Sequence, residues 1–215
     1  MGKMRRFLKN NEGFALILTI LIISLIITLT LQFNSSMRSD LYAASNLRDS
    51  IRLGYIAKSG FNWALAMLSA DALESDFDSI HEPWMYAKDL SSHSTSMFEE
   101  GRFVVEIIDH SGRIQININT ADPLVLASLS DEMDEDMVQN MVSYRIDEEN
   151  NLKEIQWYKQ VPEMSHVTID PYLLTTVSTH FEIRSEGFKE AMHKGVRGMV
   201  ERREGSFRIL SWNVL

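Results

Sequence analysis

The chain has 215 residues, 45% hydrophobic and 24% charged, with a formal net charge of −9 and no cysteine. That length suits one domain with an addition, or two small ones. The missing thiols exclude a disulfide scaffold, a thiol nucleophile and a cysteine-based zinc or iron–sulfur centre. The acidic balance argues against a generic nucleic-acid binder.

The first segment, 1–13, sets Lys3, Arg5, Arg6 and Lys9 against Glu12, and no charged side chain then occurs until Arg38. Within that gap, 14–33 is a run of mostly Ile and Leu. As a helix it spans about 30 Å, the thickness of a bilayer's hydrocarbon core. Thr19, Ser24, Thr28 and Thr30 can bond to carbonyls of the preceding turn, so they cost little in lipid. The run is too long for the apolar part of a cleaved secretory signal, and no A-x-A site follows it. It is therefore expected to stay as a single-pass anchor, with the basic end cytoplasmic and the rest on the far side.

Beyond the anchor, 34–72 contains no proline, and Met37, Leu41, Ala44, Leu47 and Ile51 recur at helical steps. Phe61, Leu65, Leu68 and Ala72 resume the stripe, so an amphipathic helix should continue the apolar one. Phe61, Leu65 and Leu68 are expected in the core of the following domain, and Leu41, Leu47 and Ile51 either under it or against sister helices. Pro83 closes any helix at FDSIHEPW (77–84), and serine-rich 91–96 reads as a loop. β-branched runs at 102–108 and 114–118, about a turn at His110-Ser111-Gly112, read as strands. So do 181–184, 195–203 and 206–214, the last two joined at Glu204-Gly205, with Val196, Val200, Phe207 and Ile209 pointing inward. Four or five antiparallel strands against one helix make an α+β domain over 73–119 and 177–215.

The intervening 120–176 differs in composition, with 12 acidic and 3 basic residues. It accounts for a net charge as large as that of the whole chain. Short helices are expected at 123–129 and 135–145, and a third turn or helix at 171–176. Asn119 and Thr120 are placed to cap the first, with Pro123 in its first turn. The pattern "NINTA", a Leu-rich helix and "MVSYR" is similar to a helix-hairpin-helix unit. A DNA-binding hairpin needs a glycine turn and basic neighbours; the turn here carries Asp131, Glu132, Asp134, Glu135 and Asp136. Those five are calcium candidates by their oxygens, yet they lack the alternating ligands and glycine of an EF-hand loop. They equally suit a helix N-terminus. Six scattered histidines lack ligand spacing, and no phosphate loop, nucleophile elbow or HExxH motif occurs, so nothing argues for an enzyme or a cofactor.

The basic leader ending in Gly13-Phe14 at an apolar helix resembles a type IV prepilin signal. With the spine helix, FDSIHEPW, "DHSGRIQININTA" (109–121) and "VERREGSFRILSW" (200–212), the chain is similar to the general secretion pathway protein K family. These are minor pseudopilins of type II secretion. The resemblance implies a type IV pilin-like fold and cleavage between Gly13 and Phe14 by prepilin peptidase, with N-methylation of Phe14. It implies an inner-membrane protein with a periplasmic C-terminal domain, assembled with other minor pseudopilins and the major pseudopilin. Ordinary pilins carry Glu at the fifth mature position, which here is Leu18; the K-type subunit typically lacks it, as suits one capping the pseudopilus tip and initiating assembly. A minor pilin of a type IV pilus shares the spine and signal. A membrane-anchored DNA-uptake protein is the remaining alternative, opposed by the acidic turn.

Overall fold

The computed structural model describes residues 11–110, 115–203 and 205–215. They form two units, divided between Asp49 and Ser50. The first is the leading part of helix α1 (Asn11–Glu74). Its apolar stretch is long enough to cross a membrane and leaves Phe14 through Phe33 exposed. The hydroxyls bond back as expected, Thr19 to the Leu16 carbonyl at 2.8 Å and Thr30 to that of Ile26 at 2.8 Å. Met37, Leu41 and Leu47 are exposed as well. Residues 1–10 of the leader lie outside the described residues.

In the second unit the remainder of α1 packs on a four-stranded sheet. Its strands are β1 (Arg102–Asp109), β4 (His180–Lys189), β5 (Met192–Arg203) and β6 (Ser206–Val214). Their order is β1-β4-β5-β6, antiparallel throughout. Leu53, Ile56, Ala57, Phe61, Ala64 and Leu68 follow the three- and four-residue steps of one helix face and are buried. They meet Val105, Ile107, Phe181, Ile183, Val196 and Val200, alternate residues of the strands. Gly187 allows the close approach: a Cβ there would stand 2.7 Å from the Leu53 carbonyl oxygen. The α+β class expected from the sequence, a long N-terminal helix with a small antiparallel sheet, is the one observed.

Several local expectations are corrected. The serines at 91–96 belong to helix α2 (Ala87–Ser92) and a 3-10 turn at Ser94–Met97. Ser91 and Ser94 are buried along the edge of β1, where Ser91 Oγ accepts the Val105 N–H at 2.8 Å and Ser94 Oγ that of Phe103 at 3.0 Å. Hydroxyls stand in for a neighbouring strand, which polarity alone did not reveal. Pro83 opens a 3-10 turn, Pro83–Tyr86, rather than closing a helix. In the 114–118 run, β2 (Ile116–Asn117) does not join the main sheet. It pairs in parallel with β3 (Leu174–Thr175), Ile116 opposite Leu174. Ile114 and the 111–112 part of the turn before it lie outside the described residues, as does Glu204 of the last hairpin. Val196 and Val200 are buried, but Ile209 is 47% exposed because β6 is an edge strand. Leu65 and Phe207 pack half-buried against the core, and Ile51 is exposed.

The chain between β2 and β3 forms a subdomain with a separate core. Helices α3 (Pro123–Ala127) and α4 (Glu135–Ile146) and a 3-10 turn at Ile155–Gln160 enclose Ile118, Leu126, Met141, Trp157, Met164 and Leu174. Tyr144 stacks on Trp157 with ring centroids 5.3 Å apart. Met137, Met141 and Met164 fill this core, as expected of a flexible, unbranched side chain. The third turn or helix expected at 171–176 is a 3-10 turn, Pro171–Leu173, leading directly into β3.

Candidate functional site

Gly13, Phe14 and Leu18, singled out at the membrane end, all lie on α1 with their side chains uncovered. Among the described residues, none packs against Phe14 or Leu18.

The five acidic candidates fall at the start of α4. Asp134 caps it, its carboxylate accepting the Met137 N–H at 2.8 Å, while Glu135 and Asp136 occupy the first turn and Arg145 the last. This placement complements the helix dipole. Asp131, Glu132, Asp134, Glu135 and Asp136 are all exposed. Among the described residues, the carboxylates that converge are different ones: Asp71, Asp78 and Glu82, with oxygens within 4.8 Å of one another. A cation already stands among them, the Arg202 guanidinium, 2.8 Å from Asp78 and 3.2 Å from Asp71. Burial pushes Asp71 up to about 6 and Glu82 to about 7, and raises Asp78 against the pull of the Ser178 N–H and Arg202.

This ion-pair cluster adjoins the neck of the subdomain, which is polar and buried. Asp78 accepts the Ser178 N–H through its carboxylate and donates its own N–H to the Thr176 carbonyl at 2.7 Å. Asn117 Nδ2 donates to Ser178 Oγ at 2.7 Å. Asn119 does not cap α3; Asp122 does, accepting the Leu124 N–H at 2.9 Å. The fully buried Asn119 amide instead donates to the Asp78 and Leu152 carbonyls at 2.9 and 3.0 Å and accepts the Trp157 indole N–H at 2.7 Å. Thr120 likewise turns from α3 to Asp109, at 2.7 Å. A signal for this was present in the sequence: Asn117 and Asn119, two apart in a β-branched run, share a strand face, and buried amides need partners. Asp78, Trp157 and Arg202 carried no such signal.

On the opposite face of the sheet, Glu182 is 1% exposed yet accepts from Arg197, Arg184 and His110, the last at 3.0 Å. Burial alone would raise its carboxyl, but the hydrogen bonds and charges of Arg197 and Arg184 outweigh it and hold the group at about 2. A cleft of about 680 Å³ beside this group is walled by Val177, Met199 and Leu210. The arrangement is an ion-pair network: Glu182 is held ionised by its donors and is no base near neutrality.

Comparison with known proteins bears on the subdomain first. The family model described as type II secretion system (T2SS), protein K, matches residues 116–179, the span from β2 through the neck. No curated protein matches the chain. Among solved structures, a chain in the crystal structure of the GspK-GspI-GspJ complex from the enterotoxigenic Escherichia coli type 2 secretion system is similar at 10% identity. It covers 80% of this chain and 99% of that one with a TM-score of 0.45, a likeness too distant to carry an argument.

Proposed function

We propose that the chain is a type II secretion system protein K, a minor pseudopilin that caps the pseudopilus and initiates filament assembly. The observation carrying this reading is the combination of an apolar N-terminal helix with the protein K match over 116–179. The helix supplies a membrane anchor, and the basic leader favours a cytoplasmic N-terminus with the folded unit in the periplasm. Prepilin peptidase cuts between Gly13 and Phe14, and Phe14 becomes the N-methylated first residue. The mature helix then holds Leu18 where a shaft subunit would carry Glu. A carboxylate at mid-bilayer costs about 2.5–3.5 kcal/mol unless partnered. A subunit with nothing above it has no use for one.

The subdomain supports the same position. Its bulk would collide with a subunit stacked one turn above, so it belongs at an end, with its acidic surface outermost. The partners are two further minor pseudopilins alongside and the major pseudopilin below, held with it in inner-membrane lipid. Its carboxylates would repel a nucleic-acid backbone, which carries a charge every ~1.7 Å, so DNA is not a partner. Quantitative labelling of sheared pseudopili tests the proposal. About one copy per filament, at one end, is expected; many copies along the shaft would overturn it.

A further inference from the structure

We propose that Asp71, Asp78 and Glu82 share protons around Arg202 and thereby form a pH-operated latch between the end of α1 and the neck of the subdomain, tight below neutrality and looser above it. Geometry carries this. Asp71 sits in the last turns of α1, Asp78 and Glu82 in the segment that follows, and Arg202 on β5. Asp78 is fully buried, and besides Arg202 it holds the Ser178 and Thr176 backbone of the neck. One guanidinium thus ties the helix end to the residue that grips the subdomain. The Phe181 and Phe207 rings of β4 and β6 lie 5.2 and 5.6 Å from the same guanidinium and keep it there.

The charges do not balance. Three carboxylates face one cation, with Glu74 of α1 and Asp109 of β1 adding further negative potential. Among the described residues, the Glu82 carboxylate accepts from neutral donors, the Trp84 indole N–H at 2.7 Å and the Ser79 N–H. His81 is directed elsewhere, its ring 2.8 Å from the Arg145 carbonyl. A proton on the cluster relieves the repulsion, and Glu82 and Asp71 are where it resides. Both groups have folded values above their ordinary ones, so the native state binds more protons than the unfolded chain between pH ~4 and ~7. The stabilisation is complete at the bottom of that window and is lost as pH rises through about 6 and 7.

Hydrogen exchange of the full chain in detergent micelles, corrected for intrinsic rates, reads the latch directly. Between pH 5.5 and 8.5 the protection of neck amides, Ser178 above all, should fall roughly tenfold, as loss of about one proton allows, while β5 amides at 196–200 hold. Glu82→Gln keeps an acceptor for Trp84 and should flatten the profile; Asp71→Asn should shift it. A flat wild-type profile overturns the latch even if a variant fails to fold, and so does an unchanged slope in both variants.

Discussion

At the residue scale, the neck depends on amides that look expendable on a composition count. Asn119, fully buried, satisfies two carbonyls and one indole N–H. Asn119→Ala leaves those three buried groups unpaired, at about 1–3 kcal/mol for each unsatisfied group. Asp122→Ala removes an exposed helix cap worth only about 1 kcal/mol. Denaturant unfolding followed by tryptophan fluorescence should therefore rank Asn119→Ala well above Asp122→Ala. The reverse order would return Asn119 to the capping role that its position before α3 suggested. The motif "NINTA" was legible as something specific, but its purpose was not, because its partners stand 33 to 41 residues away in the chain.

At the element scale, the reach of sequence reasoning depended on whether an element's partner is local. The apolar anchor and the spine helix follow from periodicity alone, and the sheet strands from β-branched runs. Inference weakened where tertiary neighbours decide: the helical serines of α2 take their place from β1, and β2 takes its partner from a strand more than fifty residues on. Along α1, the buried face of the second unit starts at Leu53 and leaves Ile51 exposed. The expected core triad divides on the same ground. Leu68 is wholly buried and Leu65 only partly. Truncating Leu68 to Ala should cost about 2–5 kcal/mol, the range for a buried leucine, and Leu65→Ala distinctly less. Thermal melts of the two full-length variants in micelles check this; equal losses would mean that both sides of the helix are packed alike.

On the scale of the whole folded unit, two apolar cores are joined by a polar neck. The core between α1 and the sheet and the core of the subdomain share no buried hydrophobic residue. The link includes the β2–β3 ladder, the asparagines, Asp78 and Ser178. Neighbouring strands lie about 5 Å apart, so Asn117 and Leu174 can be joined by a short glycine–serine linker without moving either strand. Replacing 118–173 in this way should leave the four-stranded sheet folded, since its hydrophobic partners are all retained. It would also remove every acidic residue counted in the subdomain, taking the formal net charge from −9 to about zero. Hydrogen exchange should find the β4 and β5 amides as protected as before, and ion exchange should report the lost charge. Collapse of that protection would mean that the subdomain is structural support for the sheet rather than a module carried by it. With the sheet intact, the same variant isolates the contribution of bulk to position in the filament. If the subdomain is what bars stacking above this subunit, labelling should find the excised chain no longer confined to one end. If Leu18 alone sets the position, the variant should stay there at about one copy.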